Sequence, residues 1–190
     1  MRRALVDTAS AAMPRDEDGG GRRLPRFCTL ALVAAAALGF GELHGWASTH
    51  ALMINQTESL PNWAFFVDHD RTPGRGGVVS STPPVNALVV AHFGNPPAPF
   101  GKLVYGLPGD VVDRVTDPKS GSWVRVNGVR VAHLKPVSLR GETLVPGPVG
   151  RVPAGCFFVA TPHPDGFDSR YAAIGWVCRQ QLLGTGVPIL

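Results

Sequence analysis

"WVRVNGVRVAHL", residues 123–134, is the stretch that decides the fold. Valines alternate with arginines on both sides of Asn127-Gly128, and a period of two places one set of side chains on each face of a strand. Asn and Gly are the residues that accept the positive φ of a two-residue hairpin turn. The stretch therefore predicts an antiparallel hairpin. Outward from it the same grammar continues. "KLVYG" (102–106) leads through "LPGD" (107–110) into "VVDRV" (111–115), and "CFFVATP" (156–162) and "AIGWVCR" (173–179) follow downstream. Upstream, "WAFFV" (63–67) precedes the loop "DHDRTPGRGG" (68–77). "VNALVVAHF" (85–93) is a nearly continuous apolar run, read as a strand buried on both faces, before "GNPPAPFG" (94–101) breaks the chain. No segment after residue 50 sustains a 3.6-residue apolar period, and 23 Gly and 18 Pro favour turns over long helices. The expectation is all-β, an irregular barrel or sandwich without internal repeats.

The chain has 190 residues, enough for one domain with an appendage, and a formal net charge of +4. Much of its basicity lies in Arg2, Arg3, Arg15, Arg22, Arg23 and Arg26, and no basic stripe interleaved with aromatics follows, so nucleic acid is not an expected partner. "FCTLALVAAAALGFG" (27–41) carries no charge, and "ELHGW" extends it to the length of a short membrane span. Arginines crowd its near side, and the next Lys or Arg is Arg71. The positive-inside rule then keeps the N-terminus in the cytoplasm. The expected organisation is a cytoplasmic tail at 1–26, a signal-anchor at 27–43 and an exported β-rich domain at 44–190. A cleaved secretory signal, cut after Ala47 in "GWAS", is the alternative; "GGRRLPRF" matches a twin-arginine signal poorly.

Cys28 falls in the apolar span, which leaves Cys156 and Cys178 in an oxidising compartment. Both lie in strand-like surroundings, and they either pair as a disulfide or stand as two separate buried thiols. The chain has no CxxC and no metal-ligand spacing, so neither metal nor cofactor is expected.

"FGKLVYGLPGD" (100–110) poses a different question. Only Lys102, Lys119 and Lys135 are lysines among 18 Lys+Arg. Arginine stays protonated, whereas burial can strip a lysine of its proton. Lys102 is either an edge-strand lysine that deters aggregation or an amine meant to act as a base.

Four motifs in register bear on that choice. "KLVYGLPGD" resembles the signature around the general-base lysine of the bacterial signal peptidase I family, with Lys102 four residues before Gly106 of a Gly-x-Pro-Gly-Asp turn that runs on through Pro108, Gly109 and Asp110. "TESLP" (57–61) resembles the family's nucleophile motif. "VRVNGVRV" (124–131) stands where the family has an Asn-Gly hairpin, and "GFDSRY" (166–171) resembles its late Asp-Ser-Arg-Tyr box. The form "NQTESLP" looks most like the TraF-like branch, the maturation peptidases of conjugative-transfer systems.

The resemblance implies a serine endopeptidase of the inner membrane with its catalytic domain in the periplasm. Ser59 is the implied nucleophile, Lys102 its base, and Thr57 an oxyanion donor beside the Ser59 backbone N–H. Asp110, Asp168, Ser169 and Arg170 are implied structural supports, with Asp168 and Arg170 as a buried pair. The implied partner is a precursor polypeptide, a pilin or secreted protein, bound as an added strand. The chain departs from the family in two places. Gly166 stands where many members have a serine that touches the lysine, and "ATPHPDG" (160–166) replaces the usual "GDN" segment.

Other readings fare worse. His163, Asp165 and Ser169 crowd around one Pro-rich turn, which does not lay out a triad, and no Gly-x-Ser-x-Gly elbow exists. An inactive membrane-tethered β-domain that binds secretion components fits the missing serine at 166 but not the joint presence of Ser59 and Lys102. A general housekeeping signal peptidase is the alternative within the same chemistry.

Overall fold

Asn127 and Gly128 take positive φ values of 48° and 82°, closing the hairpin where the sequence places it. The structure is a computed structural model that describes residues 26–55 and 59–189. The expected cytoplasmic tail lies outside the described residues, apart from Arg26. The chain divides into two units, Met1–Glu42 and Leu43–Leu190. Helix α1 (Arg26–Thr49) continues past the expected end at 43, and its 24 residues at about 1.5 Å each exceed the ~30 Å of a hydrocarbon core. Phe27–Thr49 is long and apolar enough to cross a membrane.

The β domain is built from β1 (His50–Ile54), β2 (Ala64–Asp68), β3 (Val78–Ser81), β4 (Phe100–Gly106), β5 (Val111–Asp117), β6 (Gly121–Val126), β7 (Val129–Leu134), β8 (Gly150–Arg151), β9 (Cys156–Ala160), β10 (Val177–Cys178) and β11 (Leu182–Pro188). One sheet runs β1-β2-β11-β3-β4-β9-β10, and a smaller one runs β7-β6-β5-β8. The all-β expectation holds.

β9 explains why the sheets form one core. All five of its residues, "CFFVA", are buried, and alternation sends them to opposite sides. Phe158 and Ala160 pack with Val112, Val124, Val126, Ala132 and Leu134 of the smaller sheet. Phe157 and Val159 pack with Val79 of β3 and Val104 of β4. A continuous apolar run, rather than an alternating one, is what a strand between two cores requires. Cys156 pairs with Cys178 of β10, and a disulfide joins them.

"VNALVVAHF" is a correction. Its residues form helix α2 (Ala87–Phe93), not a strand. The Asn86 side chain accepts the Val89 N–H at 3.0 Å, capping the first turn, and Gly94 with φ 85° ends the helix. A short apolar run does not by itself separate buried strand from helix, and here the cap residue decides.

The Gly-x-Pro-Gly-Asp segment is a turn locked to the hairpin. Gly109 takes φ 93°, the positive value a Pro-Gly turn needs at that position. Asp110 accepts hydrogen bonds from Leu107 N at 2.6 Å, Asn127 Nδ2 at 2.7 Å and Arg75 Nη2 at 2.6 Å. Partial burial works against ionisation of Asp110, but these donors outweigh it and lower its pKa. Gly106 sits at a bulge against β9, where an added Cβ would lie 2.9 Å from Phe158 Cβ.

Candidate active site

Lys102 lies in β4, opposite Val79 of β3. β9 pairs with β4 only from Leu103 onward. Among the described residues, the other edge of β4 is therefore unpaired at Phe100–Lys102. The amine stands where the sheet opens.

Alternation puts Phe100, Lys102 and Val104 on one face and Gly101, Leu103 and Tyr105 on the other. Val104 thus helps to desolvate Lys102 from its own face, while Leu103 packs among Leu60, Phe65 and Val78 on the opposite one. Lys102 is only 8% exposed, and its Nζ lies 5.2 Å from the centroid of the Phe100 ring. Phe93 of α2 meets Phe100 edge-on at 4.7 Å, and Phe167 lies 5.6 Å beyond Phe93. The helix that sequence reading took for a strand supplies part of this aromatic wall.

Burial pushes the Lys102 amine below its usual value of 10.5; the charge of Asp168 pulls it back up and that of Arg170 pushes it down again. The physical cause is loss of solvation of the ammonium, which weighs more than the carboxylate nearby.

The loop after β1 brings Ser59 to this strand. Leu60, the next residue, points at Gly101, whose added Cβ would sit 3.3 Å from Leu60 Cδ1 and 3.0 Å from Met53 Cε. Gly101, the residue before Lys102, thus lies against the residue that follows Ser59, and Leu103 packs on the cluster that contains it. Ser59 is half-buried in the turn. Asn55 closes the loop: its Nδ2 donates to Leu60 O at 3.2 Å and Asn62 O at 3.1 Å, and its N–H donates to Trp63 O at 2.8 Å. Sequence reasoning used Asn55 only as part of a motif; an Asn ahead of a Ser-x-Pro turn was the signal for a side chain that ties the turn back. Thr57 lies outside the described residues.

Behind the lysine sits the late box. Asp168 and Arg170 are 0% and 1% exposed, and Arg170 Nε and Nη2 donate to the two Asp168 oxygens at 2.8 and 2.9 Å. The guanidinium also donates to His133 O at 3.1 Å, His163 O at 3.3 Å and Thr161 O at 2.5 Å. This bidentate arrangement with every remaining donor used is the form in which a buried ion pair is tolerated. Ser169 Oγ accepts the Val159 N–H at 3.1 Å, stitching the box to β9. Among the described residues no group of His, Cys, Asp and Glu is placed to hold a metal. His163 and Asp165 are engaged otherwise, Asp165 with Lys135 and His163 Nδ1 with the Asp165 N–H at 3.1 Å.

Comparison with known proteins gives a family. A model of the signal peptidases, peptidase S26, matches residues 24–190. The crystal structure of a signal peptidase I from Enterococcus faecalis V583 is similar at 22% identity and a TM-score of 0.35, covering 60% of this chain and 96% of that one. No curated protein matches.

Proposed function

This chain belongs to the signal peptidases of the peptidase S26 family, and on that premise we propose that Ser59 and Lys102 form its catalytic dyad. As a member of that family it is a serine endopeptidase that cleaves signal peptides from precursor polypeptides. The observation that carries the assignment of residues is a buried, desolvated lysine on an open strand edge, whose chain neighbour Gly101 lies against Leu60, the residue after Ser59.

An extended precursor adds along the unpaired edge at Phe100–Lys102, so that main-chain hydrogen bonds hold the scissile bond beside Ser59. The neutral Lys102 amine takes the Ser59 hydroxyl proton as Oγ attacks the carbonyl carbon. The oxyanion is held by the Ser59 N–H and the Thr57 hydroxyl. Lys102 then passes its proton to the departing amine, leaving an acyl-enzyme ester. A water that gives its proton to Lys102 hydrolyses the ester and frees Ser59. Arginine at 102 could not run this cycle.

The span at 27–43 anchors the protein in the inner membrane, with 1–26 in the cytoplasm and 44–190 in the periplasm, in line with the arginines ahead of the span. The form "NQTESLP" favours a conjugative-transfer maturation peptidase acting on a pilin precursor. A general signal peptidase is the second reading within the family whose model matches residues 24–190.

Co-expression of a pilin precursor with wild type, Ser59→Ala or Lys102→Ala, read by intact mass, tests these assignments. Processing by wild type and by neither folded, membrane-bound variant is expected. Processing by Ser59→Ala removes the nucleophile assignment. If the pilin precursor stays intact while a general secreted precursor is cut, the general peptidase reading replaces the conjugative one.

A further inference from the structure

A cavity of about 190 Å³ opens past the end of β2, far above the ~10–15 Å³ that one water needs. His69, Asp70, Arg71, Thr72 and Arg179 line it, and Gly184 of β11 forms part of its wall. An added Cβ at Gly184 would lie 2.5 Å from Asp68 O, so the strand and the loop meet closely here. Neither member of the dyad takes part.

The two arginines are held by their backbones and free at their heads. Thr185 Oγ1 donates to Arg71 O at 2.8 Å, and the Arg179 N–H donates to Gly155 O at 3.0 Å. Among the described residues of 44–190, every arginine except Arg71, Arg114 and Arg179 donates a side-chain hydrogen bond. Two of those three share this one cavity. Asp70 lines it as well, but it forms an ion pair with neither guanidinium. Positive charge is therefore in excess and unanswered. A guanidinium fork matches the oxygens of a phosphate, and His69 has a ring N–H to offer in either protonation state.

The place of the cavity says where such a phosphate comes from. The His69 N–H donates to Thr49 O, the last residue of α1, at 2.9 Å, and Asp68 pairs with His50. Residue 43, the expected end of the span, lies about 9 Å of helix before Thr49, and a headgroup layer is roughly 5–8 Å deep. Trp46 stacks on His50 with ring centroids 4.6 Å apart, and tryptophan favours the membrane–water interface. The loop of Arg71 thus stands at headgroup level.

The same level runs through the sheet. Lys102 pairs with Val79, Val79 with Thr185, and Thr185 with Asp68. Lys102 and Thr185 stand in one row, two strand spacings or about 10 Å apart.

We propose that this cavity holds the phosphate of an anionic phospholipid, gripped by Arg71 and Arg179 with the His69 ring N–H as a further donor, and that this contact keeps the row of Lys102 at the membrane surface. The inference rests on the reading of α1 as an uncleaved anchor and is independent of the Ser59–Lys102 assignment.

Native mass spectrometry of the full chain released from detergent micelles tests it, with phosphatidylglycerol, phosphatidylcholine and inorganic phosphate titrated separately. The arginines ahead of the span can hold anionic lipid too, so the readout is the share of binding that substitutions in the cavity remove. Phosphatidylglycerol should bind more tightly than phosphatidylcholine. Arg71→Gln and Arg179→Gln should each weaken it about fivefold, and Arg114→Gln, on the other sheet, should leave it unchanged. Asp70→Asn should tighten it about twofold or more, because a like charge is removed. Should a glutamine variant not fold, Asp70→Asn decides: tighter binding supports the site, and unchanged or weaker binding overturns it. Equal binding of the two lipids, a loss under twofold in Arg71→Gln/Arg179→Gln, or an equal loss in Arg114→Gln also overturns it. Inorganic phosphate saturating at the concentrations where phosphatidylglycerol does makes this a free-anion site and overturns the lipid assignment. Release of wild type from membranes by alkaline carbonate sinks the anchor reading and this inference together. Wild type that stays in the membrane yet holds phosphatidylglycerol no better than the double variant sinks the inference alone.

Discussion

Arg170 and Lys102 are both buried, at 1% and 8% exposed, and both feel Asp168. The Arg170 guanidinium gives two hydrogen bonds to that carboxylate and three more to backbone carbonyls. Lys102 faces an aromatic ring and the open edge of β4. One cation is surrounded by acceptors; the other has been denied them, and burial works to neutralise it. The carboxylate that might have rescued the lysine is already held by the arginine. A structural charge and a catalytic base are thus separated by hydrogen-bond supply rather than by depth.

The largest expected effect comes from forcing the two cations to be alike. Lys102→Arg should lower precursor cleavage by about 10³-fold or more, the scale seen when one member of a catalytic unit is lost, because guanidinium does not give up its proton. Steady-state cleavage rates check this. Next comes the opposite exchange. Arg170→Met leaves the Asp168 carboxylate buried without its partner and should cost about 3–5 kcal/mol, read from urea unfolding in micelles.

A smaller effect separates activity from stability. The unfolded chain holds the Lys102 proton up to its usual pKa of 10.5, and the folded chain releases it below that. Between those values the unfolded state binds more protons, so stability rises with pH there. Lys102→Met should remove this slope and be more stable than wild type at neutral pH while being inactive; unfolding midpoints across pH decide it. Least affected should be a half-buried arginine of a surface pair. Arg125 pairs with Asp113 at 2.7 Å on the smaller sheet, and Arg125→Gln should leave the unfolding midpoint and cleavage unchanged within error, as surface pairs generally do.

Much of this was legible in the sequence for physical reasons. The hairpin at 123–134 is written locally, by alternation and an Asn-Gly pair, and nothing distant overrides it. The rarity of lysine and its place in an apolar run pointed to Lys102. α2 escaped because its seven residues hold an apolar run without a visible period, and only the Asn86 cap settles its type. Asn55 escaped for a different reason. Its role depends on which backbone groups the fold brings to its side chain, and spacing along the chain carries no such information.

Lys102 being a desolvated amine is the claim on which everything else depends, and only three lysines are present to confuse its signal. Side-chain NMR of lysine-labelled protein in micelles, titrated over pH and assigned with Lys102→Arg, reads it directly. The account predicts one lysine, absent from the variant, that titrates clearly below 10.5. Three lysines titrating together near that value would contradict it.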